Sequence, residues 1–347
     1  MLRAATALLA LALAALPASG QPRVTVVAGG LDTPWALAFA PDGRIFVTER
    51  PGRLRVVRDG RLQADPVATL AVTERGESGL MGLALDPAFA ETGRLYLCYT
   101  TEKGRRLVNR VVALVLRDGR AREERVLVDD IPGASIHDGC RLKFGPDGKL
   151  YATTGDAGES RLAQQRDSLA GKILRLDADG GVPADNPFAG SAIWSLGHRN
   201  PQGLAWDERG RLYAAEHGPS GLPCCHDEVN LILPGRNYGW PEVYGRGGDP
   251  RFVDPIVESG LGTWAPSGMA FSGGSLYVAG LRGRALYQVR LTDDGRSAGT
   301  ARLLADAYGR LRDVVAGPDG ALYVTTSNRD GRGSPAADDD RILRVVP

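Results

Sequence analysis

The chain has 347 residues, 43% of them hydrophobic and 24% charged, with 42 Lys and Arg against 41 Asp and Glu and a formal net charge of +1. That is the composition of a soluble globular protein, with no surplus of positive charge to neutralise nucleic-acid phosphates. Its 46 Gly and 22 Pro favour strands joined by turns and disfavour helical bundles and coiled coils.

The chain opens with Met-Leu-Arg, an apolar run from Ala4 to Leu16, and Pro17-Ala18-Ser19-Gly20. A charged start, a short hydrophobic middle and small residues at the end predict a secretory signal over 1–20, with cleavage near Gly20–Gln21. The apolar run is short for a bilayer span, and no second one follows, so the mature chain is expected to be periplasmic or secreted and without a membrane span. Thiols there tend to be oxidised.

From residue 21 onward one unit recurs: an apolar pair, a turn, and a short strand. It appears at Ala36–Glu49 around Pro41-Asp42-Gly43, then at Gly82–Leu97 around Gly93, and at Arg141–Thr154 around Pro146-Asp147-Gly148. It returns at Gly203–Glu216, at Gly268–Val278, and at Asp313–Thr326 around Pro318-Asp319-Gly320. The turn glycines fall roughly 45 to 65 residues apart, the span of one propeller blade with its loops. Pro presets φ for the turn, and Gly accepts the positive φ after it. Six such units predict an all-β fold, a six-bladed β-propeller of four-stranded antiparallel blades, as a single domain over 21–347. The ring is expected to close by pairing Arg23–Val27 with Ile342–Val346, which leaves no long sheet edge.

Propeller ligands sit at one mouth of the channel, so chemistry is expected in the loops flanking the repeat strands. The loops leaving the strands carry Glu49-Arg50, Gly155-Asp156, Glu216-His217, Leu281-Arg282 and Ser327-Asn328; those entering carry His137, Arg199-Asn200 and Arg310-Leu311-Arg312. All four histidines lie in loops. A loop imidazole such as His137 is either a general base or a surface histidine. Arg199, Asn200 and Gln202 form a donor array suited to carboxylates and carbonyls, or a hydrogen-bonded turn. Glu216 to Glu228 mixes carboxylates with turn carbonyls, either a hard-cation loop or a polar loop. Four cysteines remain. Cys98 and Cys140 could pair or stay free, and the adjacent Cys224 and Cys225 can close a small ring; no zinc or haem spacing is present.

Several segments together resemble the soluble PQQ-dependent sugar dehydrogenases, the glucose/sorbosone and aldose sugar dehydrogenase family, from about Val24 to Val346. They include Leu31–Phe39, Val47–Leu54, His137 with Arg141-Leu142, Leu169–Arg175 and Pro183–Phe188. More specific are Gly197-His198-Arg199-Asn200-Pro201-Gln202-Gly203, Asn237-Tyr238-Gly239-Trp240-Pro241, Ala265–Gly268 and Arg310–Val314. The resemblance implies that His137 takes the proton of a sugar C1 hydroxyl while hydride passes to PQQ, giving the lactone. It implies that the carbonyls of Gly218 and Pro219 bind the Ca2+ that polarises the quinone. Glu77, Arg199, Asn200, Gln202, Asp227, Arg282, Arg310 and Arg312 fall at cofactor-site positions. Glu228, the carbonyl of Tyr238, and Asp249 line up with a second, structural Ca2+ site.

This chain departs from the family pattern at four places. Ser220–His226 expand the cation loop, Glu77 and Ile136 stand where glucose-type members have Gln and Asp, and the aromatic residues before Ala265 are replaced. It is therefore closer to the broad-specificity aldose type. With no haem motif, electrons must leave to an external quinone or cytochrome. The expected assembly is a monomer or homodimer. The competing readings are a metal-dependent propeller lactonase and a non-catalytic carbohydrate- or protein-binding propeller, since a fold alone does not fix function.

Overall fold

Every repeat folds into the two inner strands of an antiparallel sheet, and six such sheets stand around a central channel; five have four strands, and in the first, two short segments share the outer edge. The computed structural model describes residues 21–221 and 224–347; the expected signal segment lies outside them. The innermost strands are Pro34–Phe39, Leu80–Leu85, Gly139–Phe144, Pro201–Trp206, Pro266–Ser272 and Leu311–Ala316. Each touches the next, and the last touches the first, so the ring is closed. The closure pairs Arg23–Ala28 with Ile342–Val346, with Thr25 opposite Arg344, as expected. Within the sixth blade the chain's first strand therefore lies outside its last, and both ends of the described chain are tied into one sheet.

The turns explain why these residues make hairpins. In the third unit Asp147 caps the turn by accepting from the Lys149 N–H (3.1 Å), and its other oxygen accepts from the Tyr151 hydroxyl (3.0 Å). Gly148 takes φ of 71°, which a side chain would resist. The same Tyr–Asp bond recurs as Tyr96–Asp86, Tyr213–Asp207 and Tyr323–Asp319. An aromatic ring is thereby buried between blades while its hydroxyl keeps a partner.

The second strand of each unit departs from a half-exposed alternation. Ile45–Glu49, Leu150–Thr154, Leu212–Glu216 and Leu322–Thr326 are buried at every position. Neighbouring blades cover both faces, so the alternation separates two cores rather than core from solvent. Exposure returns only at outer strands such as Ser297–Leu303. Of the open cysteine alternatives, Cys98 and Cys140 form a disulfide between the second blade and the third, with Cα atoms 5.5 Å apart; Cys224 and Cys225 form the adjacent one. Among the described residues no helix is long and apolar enough to cross a membrane.

Candidate active site

The first strand of a hairpin begins where the second ends. Loops entering the inner strands and loops leaving the second strands therefore meet at one end of the channel. There they enclose a cavity of about 430 Å³. Ten of the expected site residues line it: Glu77, His137, Arg199, Gln202, Gly218, Pro219, Asp227, Arg282, Arg310 and Arg312.

His137 is held on all sides. It adopts φ of 57°, its N–H donates to Glu77 Oε2 (3.2 Å), and its carbonyl accepts from Ala157. A Cβ on Gly155 would collide with that carbonyl, so only glycine lets the strand end approach. The imidazole Nδ1 lies 2.7 Å from Asp156 Oδ1. Asp156 is itself fixed by the Gly158 N–H (2.8 Å) and by the Trp240 indole N–H on its other oxygen (2.8 Å). A carboxylate on Nδ1 sets the tautomer with the proton on that nitrogen, which leaves Nε2 as the acceptor. Asp156 was placed at the rim by its repeat position but had no role; its partnership with His137 needs coordinates. His217 likewise stood at the rim without a role, whereas Arg332 was not singled out by the sequence; both also line the cavity.

The floor and walls are cationic. Arg310 pairs with Asp330 (2.8 Å), and Arg312 donates to Gln202 Oε1 (3.0 Å), which also accepts from Ser267. Among the described residues the buried Arg312 Nε has no partner, and burial pushes the guanidinium pKa down to about 9. Such a group gains from a bound anion. Among the described residues the Arg199 guanidinium makes two long contacts, to the His217 carbonyl and Ser220 (3.4 Å each), and it lies 5.4 Å from the Trp240 ring centroid. Arg282 is exposed and has no ion pair among the described residues. Burial works against the Glu77 carboxylate, but the charge His217 carries in acid and the Arg332 ion pair (2.7 Å) outweigh it and hold its pKa at about 2. Burial drives the His217 pKa down to about 4 despite Asp227 and Glu77, so it is neutral at neutral pH; among the described residues its Nε2 has no partner. The unpaired donors fit a ligand with several carboxylates.

The loop after Glu216 has a different character. Asp227 ties it down: Oδ1 accepts from the Gly218 N–H (2.9 Å), and Oδ2 from the N–H groups of Trp264 (2.6 Å) and Ala265 (2.9 Å). Among the described residues nothing donates to the carbonyls of Gly218 and Pro219. Free carbonyls at a cavity wall suit a hard cation.

Four expected residues do not line the cavity. Asn200 is fully buried behind it: Oδ1 accepts from the Gly139 N–H (3.0 Å), which braces the His137 loop, and among the described residues its Nδ2 has no partner. Of the three groups expected at a second Ca2+ site, the Glu228 and Asp249 carboxylates have protein partners. Glu228 accepts from the Gly245 N–H (2.5 Å) and Asn230 (2.9 Å), and Asp249 is half-buried and pairs with Arg251 (2.7 Å). The Tyr238 ring stacks on His198 at 4.7 Å, and among the described residues nothing donates to the Tyr238 carbonyl, the group expected there. Among the described residues no group of three or more His, Cys, Asp or Glu could hold a metal ion.

Asp138, next to His137, carries a stability prediction. Its Oδ1 accepts from Asn109 (2.9 Å) and the Ala134 N–H (3.0 Å), while Oδ2 is buried without a partner. Burial pushes its pKa up to about 7. A carboxyl raised in the fold contributes fully below its unfolded value of about 3.9, and that contribution is lost as pH rises through the folded value. Asp138→Asn keeps the Oδ1 acceptor and removes the charge. It is expected to be more stable than the parent at pH 8, by on the order of 1–3 kcal/mol, and near parity at pH 4. Urea titrations at both values check this; an equal pH slope in the two proteins would count against it.

Comparison with known proteins places the geometry in context. The family described as Glucose / Sorbosone dehydrogenase matches residues 31–343. Aldose sugar dehydrogenase YliI of Escherichia coli is 33% identical, over 93% of this chain and 95% of that one. A Thermus thermophilus oxidoreductase described as a glucose dehydrogenase has a solved structure 51% identical, with TM-score 0.89, over 94% of this chain and all of that one. The PQQ-bound aldose sugar dehydrogenase of Streptomyces coelicolor is 40% identical, with TM-score 0.87, over 94% and 98%.

Proposed function

The chain belongs to the glucose/sorbosone dehydrogenase family and is an oxidoreductase of sugar CH–OH groups; on that premise we propose that it oxidises aldoses at C1 to the lactone, using PQQ and Ca2+. The observation that carries this reading is the His137–Asp156 pair facing a cavity ringed by arginines, 40% identical over 94% of the chain to an enzyme solved with PQQ bound.

PQQ, when bound, supplies the two-electron acceptor for the hydride that leaves C1. Arg199, Arg282, Arg310 and Arg312 would hold its carboxylates, each offering planar donors to a carboxylate pair. The carbonyls of Gly218 and Pro219 would hold Ca2+, whose charge serves as a Lewis acid. His137 Nε2 accepts the C1 hydroxyl proton, and Asp156 stabilises the resulting imidazolium through Nδ1. Arg312 and Gln202, joined by a hydrogen bond, line the cavity that would receive the cofactor. Glu77, held ionised by Arg332, sets the orientation of the His137 backbone. The electron acceptor is an external quinone or cytochrome. A periplasmic or secreted location is supported by the pattern of the first twenty residues and by two disulfides.

Reconstitution tests the reading. Metal-stripped mature protein is supplied with PQQ, with Ca2+, or with both, and an artificial dye is followed with a panel of aldoses. Turnover is expected only with both. Turnover without PQQ, or no PQQ absorbance retained after desalting, overturns it.

A further inference from the structure

Cys224 and Cys225 form an adjacent disulfide, and both line the same cavity as His137 and the arginines. They lie in the stretch that expands the cation loop, and no step above uses them. The two disulfides differ in access. Cys98 and Cys140 are each 1% exposed, whereas Cys224 is half-buried and opens on the cavity. Thiol–disulfide exchange needs a thiolate to reach a sulfur, so a soluble reductant can reach Cys224 without unfolding the blades and cannot reach Cys98.

The adjacent pair also touches the carbonyl-bearing segment. The Gly218 Cα packs so closely on Cys225 and His226 that a Cβ there would collide with both of their carbonyl oxygens. The Gly218 N–H is tied to Asp227, two residues after Cys225. His226 is anchored on its far side, its N–H to the Gly260 carbonyl (2.9 Å) and its Nδ1 at 2.7 Å from Glu258. The backbone of Cys225 is therefore the wall against which Gly218 and Pro219 are set, and the ring fixes the side-chain torsions of that wall.

We propose that Cys224–Cys225 is a thiol–disulfide exchange site, addressed by dithiol reductants, whose closed form positions the carbonyls of Gly218 and Pro219 for Ca2+. The proposal rests on the reading that these carbonyls hold the cation. In the exchange one thiolate of the reductant attacks a cysteine sulfur and the S–S bond breaks. The reductant's second thiol then displaces the mixed disulfide. Two electrons and two protons end on Cys224 and Cys225 as thiols, and the reductant leaves as its cyclic disulfide. Because Asp227 still holds Gly218, opening the ring loosens the wall without unfolding the loop.

The test uses the mature oxidised protein with dithiothreitol under native conditions. Two thiols per chain are expected to titrate, and the Ca2+ concentration giving half-maximal thermal stabilisation is expected to rise on the order of tenfold, as when the partners of a metal ligand are removed. Re-oxidation should restore it, and the double variant Cys224→Ser/Cys225→Ser should match the reduced protein and ignore the reductant. Hydrogen exchange at residues 217–221 of the metal-free protein makes the same comparison without calcium; faster exchange on reduction supports the proposal. Release of no thiols or of four, or unchanged exchange, overturns it, as does an unchanged Ca2+ midpoint. Absence of any Ca2+ stabilisation in the oxidised protein would instead sink the calcium assignment, and the exchange comparison then decides the proposal alone.

Discussion

His137→Ala is expected to lower the turnover of the PQQ-loaded protein by on the order of 10²–10⁴-fold, the span over which a positioned base contributes. The loss should fall on kcat with KM nearly unchanged, because the imidazole acts on the departing proton rather than on sugar binding. The protein should still fold, since His137 sits in a loop whose backbone is held by Glu77, Ala157 and Asn200-braced Gly139. Asp156→Asn separates base from positioning partner. It keeps a group that can accept from the Trp240 indole but offers no charge to the imidazolium, so kcat should fall with an altered pH profile while PQQ absorbance is retained. Unchanged turnover in His137→Ala would remove the base assignment and leave the arginine-lined cavity without a proton acceptor in that position.

The double variant Cys98→Ser/Cys140→Ser is expected to lose about 4 kcal/mol of stability. The bridge closes 42 residues of sequence, and the chain-entropy relation for a loop of that length gives about that figure. For a chain of this size the loss corresponds to roughly 5–10 °C in melting temperature. The bridge also ends three residues from His137, at Cys140, whose φ is 68°. Turnover of the variant should therefore fall at a lower temperature than its far-ultraviolet signal. Calorimetry alongside activity against temperature checks both; coincident transitions at the parent's temperature would show that the bridge constrains neither the fold nor the loop.

Much of the fold was legible because a propeller is written in local signals. Pro146-Asp147-Gly148 and its counterparts need only their own residues to turn, and Tyr151 and Tyr323 need only the Asp within the turn before them. The ring closure was legible for the same reason: one strand precedes the first unit and one follows the last. The burial of Leu150–Thr154 on both faces was not, because the sequence of one blade does not say how closely the next packs against it.

The site divides along the same line. Residue types at repeat ends, namely His137, Arg199, Arg310, Arg312 and the Gly218-Pro219 turn, were determined by the sequence by itself, through their place in a repeated unit. Which of them face one another was decided only by the ring. The union of Asp156 with His137 spans two ends of one hairpin, Trp240 reaches Asp156 across 84 residues, and Arg332 meets Glu77 across 255. The diversion of Glu228 to Gly245 and of Asp249 to Arg251 likewise depends on where a long loop settles. Hydrogen bonds and ion pairs act over a few ångströms. Local sequence therefore fixes what each loop can offer, and the closure of six blades fixes which offers meet.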